Sequence, residues 1–207
     1  MLEIQSKPRR RGVPKSVFWG MVIVLLLGGC YILIVVLAPG TNEPLLTGRD
    51  QHATEQKLQK PIAGDRLFIP QINVDVAIVE GSDSRALEKG AWHRKPQNGN
   101  PLDGGNFVLS AHRFVMTFTP QGTAEKSPFY RLDTIKVGDQ LVVDYHSKRY
   151  FYQVAKKYSV KPNAIEIEKR SEQPKLTLYS CTLEGSTDGR EVIEATPLTG
   201  RKVTLDL

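Results

Sequence analysis

Cysteine is almost absent from this chain: there are two in 207 residues, Cys30 and Cys181. Cys30 falls inside a long apolar run and Cys181 in the C-terminal part, so the two are not partners and no disulfide framework exists. A convincing set of metal ligands is missing too. Asp103, Glu166 and Glu168 would offer oxygen atoms to calcium only if their loops met, and scattered acids on loops are ordinarily solvated. No internal repeat and no low-complexity tract is present. Nor is there a basic stripe, although the formal charge is +6. Residues 1–64 hold eight Lys and Arg against four acids, and residues 65–207 hold twenty against eighteen. The excess belongs mostly to an N-terminal tail, which excludes nucleic acid as a partner.

What the sequence does have, first, is a 22-residue uncharged apolar run from Val17 to Ala38. As a helix it spans about 33 Å, enough to cross a bilayer. Lys7, Arg9, Arg10, Arg11 and Lys15 precede it with only Glu3 opposing them. The positive-inside rule therefore puts the N-terminus in the cytoplasm and everything after Pro39 outside. A cleaved signal peptide fits less well, because the run exceeds a usual h-region and no A-x-A site closes it. The expected organisation is a cytoplasmic basic tail (1–16), a transmembrane anchor (17–38), an extracellular tether (39–64) and a folded domain (65–207). An outward-facing domain normally pairs its cysteines or omits them, so Cys181 is either a chance core residue or a working thiol.

The tether, Gly40 to Gly64, is polar and weakly patterned, with a short helical piece expected around Thr54–Gln59. From Asp65 the texture changes to short strands separated by turn signals. Arg66–Ile69 is closed by Pro70, and Ile72, Val74, Val76 and Ile78 alternate with polar or small residues. Ser84–Lys89 reads as one helical turn stopped by Gly90. Asn106–Ala111 is a buried strand ending at His112, and a short helix is expected over Ser127–Leu132. Further strands are expected at Leu141–Tyr145, Tyr150–Val160, Lys175–Cys181, Arg190–Ala195 and Lys202–Leu207. A hairpin turn is expected at His146–Lys148, and a long connection with a helical turn over Pro162–Ser171. About eight strands without βαβ alternation predict an all-β fold, a closed or nearly closed barrel.

The chemistry centres on Lys175–Cys181, a polar run, and then Arg190-Glu-Val-Ile193. A Cys ending one strand and an Arg opening the next share one end of a sheet. Thiol and guanidinium then face one reacting atom, which suits attack on a carbonyl with a cation near the developing charge. The bland alternatives are a buried structural Cys and an Arg paired with Glu184 or Glu191. Of the four histidines, His52 and His146 read as solvated, and His93, in a loop after Trp92, would line a groove. His112, at the end of a buried strand, is the best candidate for a general acid and base beside the thiol, or else a hydrogen-bonded structural residue.

Together these segments resemble the sortases, membrane-anchored cysteine transpeptidases of bacterial cell surfaces. The resemblance covers residues 65–207 and rests on five segments in order. They are Leu67-Phe-Ile-Pro-Gln-Ile-Asn-Val74, Gly104-Gly-Asn-Phe-Val-Leu-Ser-Ala-His-Arg113, Phe129-Tyr-Arg-Leu132 with Val137-Gly-Asp139, Leu176-Thr-Leu-Tyr-Ser-Cys181, and Arg190. Ser180 stands where the family's motif has Thr; the hydroxyl is kept and a methyl is lost.

The resemblance implies an eight-stranded sortase-type barrel in the cell membrane, single-pass, with its catalytic domain extracellular. It implies Cys181, His112 and Arg190 as catalytic residues, Ser180, Thr177 and His93 at the substrate, and no metal or organic cofactor. The implied partners are secreted proteins bearing a Leu-Pro-x-Thr-Gly-like signal and an amine of a cell-wall precursor or a pilin. Because no second apolar span follows Arg201 and the tether carries no Asp-Pro-aromatic plug, attachment to the wall is expected over pilin polymerisation. The rival readings are a surface cysteine peptidase that hydrolyses the same thioacyl intermediate and a non-catalytic membrane-tethered barrel that binds a partner.

Overall fold

The computed structural model describes residues 14–41 and 63–198. The helical piece expected near Thr54–Gln59 and the strand expected over Lys202–Leu207 lie outside those residues. The first body is a single helix, α1 (Lys15–Thr41). Large apolar side chains such as Val24, Leu25, Leu27 and Leu33 are exposed around it, so it has no polar face to turn toward water. By length and composition Lys15–Leu37 is able to cross a membrane, as an anchor or a signal sequence does. The thiol of Cys30 is free within it.

The second body is built from nine strands: β1 (Arg66–Ile69), β2 (Val74–Val79), β3 (Ala91–Arg94), β4 (Gly99–Asn100), β5 (Gly104–Ser110), β6 (Gln140–Tyr145), β7 (Lys148–Val160), β8 (Lys175–Thr182) and β9 (Gly185–Pro197). Their order is β3-β2-β1-β6-β7-β9-β8-β5-β4, and β3 also pairs with β5. That extra pairing closes eight strands into a barrel and leaves the two-residue β4 as an appendage. Closure removes the free edges that an open sheet would present. Two neighbours are parallel, β2 with β3 and β5 with β8, and the remaining pairings are antiparallel.

Alternation decides which side chains enter the barrel. Leu67 and Ile69, Phe107, Leu109 and Ala111, Leu141 and Val143, Leu176 and Leu178, and Ile193 and Ala195 form one buried cluster. Each pair or triplet is spaced by two, the period at which a strand returns to the same face. Phe129, Leu132 and Ile135, from the segment between β5 and β6, join this cluster. A second, smaller cluster lies outside the barrel and consists of Val108, Ile167, Tyr179 and Val192. Val108, Tyr179 and Val192 are offset by one from their inward neighbours, so the sheet β5-β8-β9 is apolar on both faces, and Ile167 of the β7–β8 connection packs on the outer one.

Local signals explain the connections. His146 and Ser147 have φ of 47° and 61°, the type I′ geometry that suits a two-residue hairpin between β6 and β7. The 3-10 turn Ser84–Glu88 starts at Asp83, whose carboxylate accepts from the Arg85 amide at 2.9 Å. Gly90 follows it, and a Cβ there would lie 2.3 Å from the Ala77 carbonyl oxygen, so only glycine lets the chain pass so close to β2.

The helix expected over Ser127–Leu132 is displaced. The chain forms α2 at Pro120–Lys126, with Pro120 in its first turn and Thr119 capping the Gly122 amide, and only a 3-10 turn at Leu132–Thr134. The polar run after Cys181 is also shorter as a loop than expected. β8 reaches Thr182 and β9 begins at Gly185, with the surplus residues taken up by a register shift beyond Cys181.

Candidate active site

Cys181 is the next-to-last residue of β8, and Arg190 is its direct partner on β9. Residues directly opposite on antiparallel strands place their Cβ atoms about 4.5–5.5 Å apart on one face. Thr182 pairs with Gly185, so Ser186–Gly189 bulge out of the ladder just beyond that pair. Arg190 Nη1 donates to the carbonyls of Ser186 and Gly189, both at 2.9 Å. The guanidinium is thus braced against the bulge by one nitrogen.

β5 lies on the other side of β8, in parallel, with Ser110 paired to Tyr179. The Ala111 amide continues this contact at 3.4 Å to the Tyr179 carbonyl. Two residues beyond the last pair, His112 is level by count with Cys181. His112, Cys181 and Arg190 therefore stand at one end of three neighbouring strands. By alternation they belong to the outer face, because Ala111, Leu178 and Ile193 point inward. The three are half-buried, and the Cys181 thiol is free.

Two contacts locate His112. Its carbonyl accepts from the Phe129 amide at 3.2 Å, and its Nε2 lies 3.1 Å from Glu88 Oε1. Glu88 comes from the Ser84–Glu88 turn, 24 residues earlier. Nothing in the sequence near either residue announces this pair.

The rest of the outer face is covered. The β7–β8 connection starts beside Arg190, since Val160 pairs with it, and ends at Lys175 on the far side of the sheet. It has to run down the outer face. Asn106, fully buried, donates from Nδ2 to the carbonyls of Ile167 and Lys169, both at 2.9 Å, and accepts from the Thr177 hydroxyl at 2.6 Å. Glu168 receives Arg94 Nε at 2.8 Å and Nη2 at 3.2 Å, together with the Tyr179 hydroxyl. Burial alone would raise the Glu168 pKa. The bonds from Arg94 and Tyr179 and the charges of Arg94 and Lys95 outweigh it and hold the carboxyl below its ordinary value. The strap therefore shields the half of the face below Tyr179 and leaves the Cys181 end beyond its cover.

The other expected site residues lie elsewhere. His93 is not in a loop: it belongs to β3 and is 1% exposed, with its ring edge-on to Phe107 and Tyr145 inside the barrel. Burial lowers its pKa, against the opposing pull of the Gly99 carbonyl and Glu80. Its expected place along a groove is corrected by the pairing of β3 between β2 and β5, which draws it inside. Thr177 is fully buried under the strap. Ser180 is 1% exposed, and its hydroxyl donates to the Cys181 carbonyl at 3.1 Å. Ser180 is one residue out of step with Cys181 and so belongs to the inner side, whereas Thr177 shares the face of Cys181 but lies beneath the strap. Among the described residues, no three His, Cys, Asp or Glu side chains gather as metal ligands.

Comparison with known proteins agrees with this architecture. Residues 67–198 match the sortase domain family. Sortase D of Bacillus subtilis (strain 168) is 33% identical over 116 residues, which are 56% of this chain and 52% of that protein. The matched part thus spans about half the length of the Bacillus relative. Among solved structures, sortase C1 of GBS pilus island 1 superposes with a TM-score of 0.58 at 21% identity, covering 86% of each chain. A Clostridium perfringens sortase D5 transpeptidase gives 0.55 at 19% identity, over 73% of this chain and 90% of its own. These two structures speak for the fold.

Proposed function

The chain belongs to the sortase family, and on that premise we propose that it is a cysteine transpeptidase acting on a C-terminal sorting signal of the Leu-Pro-x-Thr-Gly type. The observation that carries the reading is the register that sets Cys181 opposite Arg190, with His112 level with them on the next strand. The Cys181 thiolate attacks the Thr carbonyl carbon of the signal, and Arg190 lies near the oxygen on which negative charge develops. Collapse of that adduct breaks the Thr–Gly bond. His112 gives its proton to the departing Gly amine, leaving a thioacyl enzyme and a neutral imidazole. An amine of a cell-wall precursor or a pilin then attacks the thioester. His112 takes the amine's proton, and the thiolate departs. Atoms and charges balance over the cycle, and the chain supplies every proton carrier.

The apolar helix α1 supports a cell-membrane location for the enzyme, anchored by a single pass with the barrel outside the cell. The test uses the full chain in detergent micelles with a sorting-signal peptide, with and without a primary amine. The expected products are an amide when amine is present and slow hydrolysis without it, with both lost in Cys181→Ala. Hydrolysis unchanged by any amine would make the protein a peptidase instead.

A further inference from the structure

The cycle above assigns no part to Glu88, yet among the described residues this carboxylate is the one side chain bonded to the His112 ring, at 3.1 Å from Nε2. We propose that Glu88 is a positioning residue that keeps a proton on His112 Nε2, so that Nδ1 is the nitrogen exchanging a proton with the substrate. The proposal rests on the acid–base reading of His112 given above.

An ionised carboxylate only accepts hydrogen bonds, so the ring nitrogen facing it has to be an N–H. Neutral imidazole carries a single N–H, and a partner on one nitrogen decides which one it is. With Nε2 engaged, Nδ1 is left without a hydrogen-bond partner among the described residues. In the imidazolium form both nitrogens are protonated. The Nδ1 proton goes to the departing amine as its C–N bond breaks, and the ring remains as the Nε2–H tautomer, still bonded to Glu88. The return step runs backwards through the same nitrogen. Glu88 therefore matches both protonation states without the ring turning.

Both ends of this contact are anchored. Lys126 of α2 donates from Nζ to the Glu88 carbonyl oxygen and stands 3.9 Å from its Oε2. Gly90, two residues on, is pressed against Ala77. On the other side, the His112 carbonyl is bonded to the Phe129 amide. The next residue, Arg113, is 5% exposed and reaches Asp133 at 2.7 Å. Glu88 itself is 56% exposed and His112 27%. An ion pair so open to water contributes little to stability, so its effect is to be sought in orientation.

The test uses the full chain in micelles with nitrogen-15-labelled histidine, the His112 signals being assigned by their loss in His112→Gln. Wild type is expected to show neutral His112 as the Nε2–H tautomer, and Glu88→Ala a mixture of tautomers. In the same variant kcat is expected to fall about tenfold, with KM changed less than about twofold. Glu88→Gln keeps an acceptor and is expected to keep the tautomer and most of kcat. Glu88→Asp is expected to recover part of the loss, and these two variants carry the test if the alanine variant misfolds. An unchanged tautomer in Glu88→Ala, an unchanged kcat, or a Glu88→Gln loss equal to that of Glu88→Ala would overturn the proposal. Failure of the underlying reading looks different, because peptide processing would then survive in Cys181→Ala whatever residue occupies position 88.

Discussion

The inside of the barrel and the outer face of β5-β8-β9 are made from the same strands, one residue out of step. Leu178 and Ile193 fill the interior, while Tyr179, Cys181 and Arg190 face outward. Two histidines show what each side does to a titratable group. His93, inside, is held between aromatic rings with its pKa lowered by burial. His112, at the outer rim, is half-buried and meets a carboxylate. The interior selects for volume and neutrality, and the rim of the outer face leaves room for charge. The residues proposed for the chemistry are thus ones that do not build the core.

That contrast is open to attack by substitution. The largest effect is expected at the rim: Cys181→Ala should reduce transpeptidation at least about a thousandfold while thermal unfolding barely moves, measured by product formation and melting. Arg190→Ala is expected to cost about a hundredfold in kcat/KM, with Arg190→Lys recovering part of it, since a cation near the oxyanion is what is lost. Inside, Leu109→Ala should leave the chemistry of folded molecules intact but reduce stability by about 2–5 kcal/mol in urea titrations. A rim variant that unfolds the barrel, or a core variant that stops catalysis without destabilising, would erase the distinction.

Two smaller effects sharpen it. Asn106→Ala orphans the Ile167 and Lys169 carbonyls and the Thr177 hydroxyl, and should cost about 1–3 kcal/mol. Faster amide exchange confined to residues 161–174 would show that the strap is released first. His93 gives a pH dependence with a defined sign. Its folded pKa lies below the ordinary 6.5, so the unfolded chain takes up the proton first as pH falls. The stability it confers is complete above the unfolded pKa and is lost as pH drops toward the folded one. Between about pH 7 and pH 5 wild type should therefore lose more stability than His93→Phe.

Much of this architecture was legible in the sequence because strand alternation and turn chemistry are local. Ile72–Ile78, Leu141–Tyr145 and Leu176–Leu178 declare their faces by period two, and the His146-Ser147 hairpin falls where the turn signal lies. The neighbouring positions of Cys181 and Arg190 followed from hairpin order alone. The displaced helix carries a local signal of its own, Thr119-Pro120, a capping residue before a first-turn proline, ahead of the apolar Phe129 and Leu132. Those apolar residues pack on the barrel core without needing a helix. What local reasoning does not reach are contacts made by closure of the ring. The β3–β5 pairing buries His93, Asn106 reaches a strap more than sixty residues away, and Glu88 meets His112 only once β3 is in place.

The most direct measurement is the intact mass of the full chain after brief incubation with a sorting-signal peptide and no amine. An added acyl fragment is expected, mapped to Cys181, released by hydroxylamine and diverted to an amide when amine is supplied. Peptide cleavage by wild type with no adduct on Cys181, and undiminished in Cys181→Ala, would contradict it.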